Sequence, residues 1–438
     1  MSGARLRQWW ADLRAAFWLR PAAMTAAAIV LAEALVRAEG SFDLPEPLGG
    51  WVYAGGMSGA REVLGTVAAA SIGVAGTTFS ITVAALTLAS NQMGPRLLRN
   101  FTRDPGNGWA LGAFVATFAY ALVALRSVHE GSDGAFVPQL AVSVGLLLAF
   151  GCAGALIWFL HHVAASISVD RVVALVARDL DEALAALARE PDTTERPVMT
   201  GRDSAPLRAP QACSGYLRVL DAEALAEWAE REDAVLRLDL RPGRFVFPHA
   251  VLGDVAPASA REAAEAAVLR AMTLGDTRSV EADPEYAVRQ LVEVGLRALP
   301  PGNVDLFTVI AVLDRLGAAL CRLAGQALPD GRVLRGGRLR LACPPTDYDG
   351  LVDAMLHMLR QGAAGEAPVI IRMAEVLGTV AGVEEDPARR ATLRRHLDLV
   401  REAGRGPGYD TSARAALEER LATATALLAR LPSSRAAA

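Results

Sequence analysis

The chain has 438 residues, 52% of them hydrophobic, and a formal net charge of −4. This hydrophobic share is high for a soluble protein of such length and places part of the chain in a lipid bilayer, while the small net charge supplies no global field for binding nucleic acid. All 44 basic residues are arginine, which excludes a Schiff-base lysine, a phosphate-loop lysine and a lysine general base.

Four long apolar runs come first, at about residues 16–36, 63–93, 109–125 and 137–160. The first carries Arg20 near its start and Glu33 near its end, and it has the length of an anchor rather than of a cleaved signal peptide. Loop charges orient the four. Arg5, Arg7 and Arg14 precede the first run, Arg96, Arg99 and Arg103 separate the second from the third, and Arg171 and Arg178 follow the fourth. The two other loops carry Glu39, Asp43, Glu46, Glu130 and Asp133, with Trp51 and Tyr53 suited to an outer aromatic belt. The positive-inside rule then puts both termini in the cytoplasm, with the bacterial inner membrane as the expected location.

The second run is unusually long: as a helix, 31 residues span about 46 Å against about 30 Å of hydrocarbon. Its polar groups fall into two stripes at 100° per residue. Thr66, Gly73, Thr77, Ser80, Ala84, Thr87 and Asn91 form one, and Ser71, Ala75, Thr78, Thr82, Ala85 and Ala89 lie nearly opposite. Two readings stand open. Small and hydroxylated residues let neighbouring helices pack closely. Alternatively, in a ring of protomers, Thr66, Thr77, Ser80, Thr87 and Asn91 line a pore with stacked uncharged oxygens, and Arg96, Arg99 and Arg103 ring its inner mouth. The carboxamides of Asn91 and Gln92 favour water over lipid.

Glu33 and Arg126 are ionisable groups at the same membrane face, placed to pair with each other, although Glu33 reaching the outer headgroups is the simpler expectation. His161 and His162 close the fourth run at the inner interface. Adjacent helical positions point about 100° apart, so the two cannot share a metal, and interfacial packing is expected of them.

The fourth run is expected to continue as one helix to Glu190, followed by a linker at residues 191–210. Residues 211–345 read as an α+β domain and 346–438 as a helical region. Strand and helix signals alternate from Ser214 to Val255, with Tyr216, Val219, Val235, Leu238, Phe245 and Phe247 as the expected core. Helices are predicted at about 261–274, 284–298, 306–324, 347–359, 368–381, 387–402 and 412–431, with a hairpin turning at Gly336-Gly337. Asn303 is expected to cap the helix that opens at Asp305-Leu306. Arg389, Arg390, Arg394 and Arg395 read as a solvated face.

Chemistry is sparse in this sequence. It has no Walker motif, nucleophile elbow, His-Glu-x-x-His, dinucleotide fingerprint or EF-hand, so no enzyme, cofactor or metal is expected. Cys152, Cys213, Cys321 and Cys343 form no Cys-x-x-Cys pair and read as small buried hydrophobes.

Several strings taken together resemble a known family. They are "ARE-L-T" from Ala60, "VAGTTFSIT-AALTLAS-Q-GPRLLRNF-RD" from Val74, "LG-FV-TF-Y-L--LR-V" from Leu111, "FVP-L-V" from Phe136, the His161-His162 pair and "SGYL" from Ser214. The chain resembles the bacterial inner-membrane proteins grouped as domain of unknown function 2254, densest over Ala60–Asp104. The resemblance implies a four-span membrane module with a cytoplasmic domain, and no activity or cofactor. After Arg297–Leu299 the sequence departs from the family pattern, keeping Pro301, Gly302 and Asp305 in register.

The fold expected is therefore an α-helical membrane protein, four spans with a long second helix, followed by a mainly α cytoplasmic α+β domain. The leading function is an oligomeric ion channel or pore lined by the second span, with the bilayer, further copies of the chain and inorganic ions as partners. The alternative is a membrane-anchored sensor or scaffold whose cytoplasmic domain binds a protein or small ligand.

Overall fold

The computed structural model describes residues 18–39, 52–93, 105–131, 134–166, 168–187, 203–278, 283–300, 302, 304–406 and 408–430. The chain divides into two compact units, Met1–Arg171 and Val172–Ala438.

Among the described residues of the first unit, four helices are long and apolar enough to cross a membrane: α1 (Leu19–Ala38), α2 (Met57–Met93), α3 (Pro105–Ser127) and α4 (Gln139–Ser166). The third helix is the hub, with α1, α2 and α4 all packed along it. Small residues make that possible. A side chain at Gly112 would place Cβ 2.5 Å from Met24 Sδ and 3.2 Å from the Pro21 backbone, so only glycine lets α1 lie this close. Tyr120 is fully buried among α2, α3 and α4 and donates to the Ala141 carbonyl at 2.8 Å, so its hydroxyl is satisfied where no water reaches. A hairpin of β1 (His129–Gly131) and β2 (Gly134–Phe136) joins α3 to α4. At this end the Glu39 carboxylate accepts from the Leu140 amide at 3.2 Å, placing negative charge at the α4 N-terminus. Arg61 donates to the Val128 carbonyl at 3.0 Å and the Tyr53 amide to Ser143 Oγ at 2.7 Å. Trp51 lies outside the described residues.

The helix expected to run unbroken to Glu190 is two helices. The second, α5 (Val169–Leu187), opens after Ser168 with Asp170 in its first turn, a combination that starts a new helix. Its buried residues Val173, Val176, Ala177, Leu180 and Leu184 keep the three-and-four spacing of an amphipathic face.

The described residues of the second unit form two sheets. Strands β3 (Ala205–Arg208), β4 (Gly215–Leu220), β5 (Val235–Leu238), β6 (Phe245–Val246), β7 (Val251–Ala256), β8 (Met272–Gly275), β9 (Arg332–Arg335) and β10 (Arg338–Ala342) form a five-stranded sheet of order β3-β7-β5-β10-β9 and a three-stranded sheet of order β6-β4-β8. Among the described strands only β5 and β10 pair in parallel. The sheets share a core with α6 (Ala222–Arg231) and α7 (Arg261–Ala271). Strand β3 falls inside the expected linker, where it pairs with β7. The expected hydrophobic face is also largely corrected. Leu238 is buried, but Val219, Phe245 and Phe247 are exposed and Tyr216 and Val235 half-buried, while Leu217, Leu236, Val246, Leu252 and Val255 fill the core. In a strand a shift of one residue exchanges the two faces, and apolar residues on both sides hide the register.

Six helices complete the unit: α8 (Pro284–Arg297), α9 (Leu306–Leu323), α10 (Tyr348–Gly362), α11 (Ala367–Val383), α12 (Pro387–Ala403) and α13 (Thr411–Ala429). Helices α8 and α9 pack with α10 and α11, so they belong to the helical layer although β9 and β10 follow them in sequence. Asp305, not Asn303, caps α9: its carboxylate accepts from the Thr308 amide at 3.2 Å and hydroxyl at 2.6 Å, and those bonds hold its pKa below the usual carboxylate value. Asn303 lies outside the described residues.

The arginines of α12 are a solvated face only in part: Arg394 and Arg395 are exposed, while Arg389 and Arg390 are half-buried. Arg389 donates to the carbonyls of Leu323 (2.9 Å) and Gln326 (2.7 Å) at the end of α9. Arg390 bridges Glu384 after α11 to Leu427 and Arg430 at the end of α13, the last two at 2.8 and 2.9 Å. Arg394 reaches the Leu428 carbonyl and Arg395 pairs with Asp353. Three helix C-termini thus find their missing donors on one helix. The four cysteines are half-buried rather than buried, and all are free thiols. Burial pushes Cys343 up to about 11 and also raises Cys321.

Candidate functional site: the two faces of the second span

Helix α2 has 37 residues, six more than expected because it opens at Met57, and it would extend about 55 Å. Its neighbours α3 and α4 cover one side. Ser71, Ala75, Thr78 and Ala85 of the second stripe are buried there, and Thr82 is half-buried. This stripe is the packing face of the protomer. Small side chains let α3 approach, and Ala75 and Ala85 join Ala110, Phe114, Phe159 and Val163 in one cluster. Thr82 donates to the Thr78 carbonyl at 2.8 Å, whereas Thr78 Oγ1 is buried with no hydrogen-bond partner.

The other stripe is left open. Thr66, Gly73, Thr77, Ser80, Ala84 and Thr87 are all exposed. Thr77 donates to the Val74 carbonyl (2.9 Å), Ser80 to Gly76 (3.0 Å) and Thr87 to Val83 (2.9 Å). With each hydroxyl proton committed to its own helix, the oxygen lone pairs are what the face presents. Among the described residues nothing lies within 4 Å of a Cβ built at Gly65, Gly73 or Gly76, so the backbone can be approached closely there. Ile72, Phe79 and Val83 are exposed beside the stripe and give it apolar borders. Asn91 is in the helix, but its side chain lies outside what is described, as do Arg96, Arg99 and Arg103 entirely. One residue of the open face escaped the sequence reading. Exposed Glu62 sits one turn before Thr66 at the same angular position, a continuation legible in the spacing.

Glu33 pairs with Arg126 and, at 3.4 Å, with Arg37. The contact between α1 and α3 therefore carries the ion pair, and Glu33 does not merely reach outward. His161 is exposed, while His162 stacks on Trp158 with ring centroids 4.9 Å apart. The structure does not bring these groups to the hydroxyl stripe. Among the described residues no group of three His, Cys, Asp or Glu side chains is placed to hold a metal ion.

Four apolar spans joined to a domain of helices and sheets define a multi-pass membrane protein with a large C-terminal domain. The chain belongs to the family of predicted membrane proteins DUF2254, whose family model matches residues 14–379. It is 34% identical over 390 residues to uncharacterized proteins of Mycobacterium tuberculosis strain H37Rv and of Mycobacterium bovis strain AF2122/97, the match covering 86% of this chain and 74% of each relative. No solved structure matches the chain.

Proposed function

We propose that the protein forms an oligomeric ion-conducting pore in the bacterial inner membrane, with the open stripe of α2 lining the pathway and the C-terminal domain on the cytoplasmic side as its regulator. One observation carries the reading: the protomer uses one polar stripe of α2 for its own packing, and among the described residues the other, Thr66 to Thr87, is left without a cover. A lipid-facing helix has no need of aligned hydroxyls. A face of helix-bonded Ser and Thr presents acceptor oxygens, which suit water and cations better than anions, and Glu62 extends it with a carboxylate. The open glycines allow copies of α2 to approach.

The test is ion flux from salt-loaded proteoliposomes, comparing wild type with Thr77→Leu/Ser80→Leu. Leucine rings at two successive levels close a pore by dewetting, so flux falls to background. A wild-type protein that is monomeric in nanodiscs and silent in liposomes removes the reading. A second reading has its own support: exposed Phe245 and Phe247 cluster with half-buried Tyr216 at the three-stranded sheet, with ring centroids 5.1 and 4.9 Å apart. A membrane-anchored scaffold would use such a face to dock a partner. In that case the leucine pair leaves function intact.

A further inference from the structure

Several described residues between α12 and α13 are held by close contacts. Gly404 closes α12 with its amide on the Val400 carbonyl at 3.1 Å, and a Cβ there would meet Leu417 Cδ2 at 2.1 Å, so α13 packs against bare backbone. A Cβ on Gly408 would meet the Gly365 carbonyl at 2.5 Å. Tyr409 is buried and donates to the Ala364 carbonyl at 3.1 Å. Asp410 accepts from the Ala413 amide at 2.7 Å and starts α13.

Beside these residues lies a cavity of about 380 Å³ lined by Arg401, Gly404, Arg405, Arg414, Leu417 and Glu418. Three arginines and one glutamate are thus brought together in its lining. Arg401 is held in place, with Nη1 2.9 Å from Asp398 and Nε 3.8 Å from Glu418. Arg405 and Arg414 form no ion pair with any described residue, although Glu402 and Asp410 lie nearby in the sequence. Asp410 is occupied by its cap. Arg414 also stands in the first turns of α13, where the helix dipole adds positive potential.

We propose that this cavity is a binding site for a phosphate group, gripped by the forks of Arg405 and Arg414 with Arg401 behind them. Planar forks match the several acceptor oxygens of a phosphate better than the two of a carboxylate, and a preformed cleft spares the cost of ordering the donors. The phosphate belongs either to a free phosphorylated solute or to an anionic lipid headgroup. The site stands independently of the pore reading, since no residue of α2 takes part.

The experiment uses the full-length protein in phosphatidylcholine nanodiscs. Inorganic phosphate is titrated against sodium chloride of equal ionic strength, with thermal unfolding and hydrogen exchange as readouts. A parallel sample in phosphate-free buffer replaces part of the lipid with phosphatidylglycerol. Phosphate binding raises the melting temperature saturably and protects residues 401–418 from exchange. Arg405→Gln/Arg414→Gln weakens this at least ten-fold and leaves the ligand-free melting temperature unchanged, because both side chains are exposed and unpaired. Arg405→Lys/Arg414→Lys falls between the two. Protection by phosphate alone identifies a free solute, and protection by phosphatidylglycerol identifies a headgroup. Absence of protection at 401–418 in both samples, or protection that survives in the glutamine pair, overturns the proposal.

Discussion

Acidification provides a direct probe of the helical layer, through His396. This residue of α12 is 1% exposed and donates Nε2–H to Asp353 Oδ1 at 2.9 Å, while its Nδ1 is buried with no partner. Asp353 also receives Arg395 at 2.8 Å and His357 at 3.2 Å. Burial dominates and carries His396 down to about 4, with the charges of Arg395 and His357 adding to the effect and Asp353 opposing it. In the unfolded chain a histidine titrates near 6.5. As pH falls below that value the unfolded state takes up a proton that the folded state refuses, so stability is lost between pH 6.5 and about 4 and the loss levels off below. The difference of the two pKa values corresponds to roughly 3 kcal/mol, or roughly 6–12 °C in melting temperature for a domain of this size. Asp353 acts in a lower window. Burial works to raise its carboxyl, but the bonds from Arg395 and His396 carry it below its ordinary value, so its contribution fades only at more acidic pH.

The perturbation is His396→Leu, read by denaturant unfolding of the detergent-solubilised protein from pH 7.5 to 4. At pH 7.5 the variant loses about 1 kcal/mol with the bond to Asp353. Between pH 6.5 and 4 its stability falls by roughly 3 kcal/mol less than that of the wild type, so the two curves converge and cross. Parallel curves would show that His396 binds its proton as readily folded as unfolded, and the argument from burial would be refuted.

Further outcomes concern packing and capping. Arg390→Met removes the donors that bridge the ends of α11 and α13, and lowers stability by about 3 kcal/mol in the same unfolding assay. Gly331→Ala forces Cβ to within 2.1 Å of the Cys343 carbonyl at a φ of +74°, which costs more than about 2 kcal/mol and lowers the melting temperature. Ala75→Leu overpacks the buried stripe of α2 by about 1–3 kcal/mol, whereas Ala84→Leu on the open stripe leaves protomer stability unchanged when both are compared by thermal unfolding in detergent. Thr78→Val removes a buried hydroxyl that makes no bond, so it is neutral or stabilising by up to about 1 kcal/mol.

Much of this architecture is written in periodicities. The four spans declare themselves by length and hydropathy, and the helices of the C-terminal domain start close to where proline or aspartate stands: Pro284, Asp305, Asp347, Asp386-Pro387 and Asp410 each sit at an N-terminus. The strands were harder to read. "GYLRVL" and "RFVFP" carry apolar residues on both faces, so alternation alone selects Phe245 and Phe247 for the core when Val246 occupies it. The break before α5 rests on one serine in an otherwise helical run, and β3 is an edge strand of four residues within a segment rich in proline and arginine. On α2 both polar stripes were visible, but their roles were not. Gly73 and Ala75 are equally small, and only the position of α3 makes one a packing residue and leaves the other open.

The complete use of arginine has consequences beyond charge. A helix end leaves carbonyls without donors, and a planar guanidinium with five N–H groups can satisfy carbonyls from two different helices at once, which the compact ammonium of lysine does poorly. Arg390 spans the ends of α11 and α13, Arg389 holds the end of α9 while lying 4.9 Å from the Tyr348 ring, and Arg340 joins Asp233 to the Ala234 carbonyl beneath β10. A sequence reading that treats a run of arginines as a solvated surface counts their charge and overlooks their geometry. Here the run Arg389-Arg390 with Arg394 fastens α9, α11 and α13 to one face of α12. The same helix ends at the cavity of Arg401, Arg405 and Arg414, where Glu418 also lines the wall and neither Arg405 nor Arg414 forms an ion pair with any described residue. From α12 into the turn after it and the start of α13, the arginines thus pass from fastening the fold to lining an open cleft, and this contrast is what supports the proposal that the unpaired Arg405 and Arg414 bind a ligand.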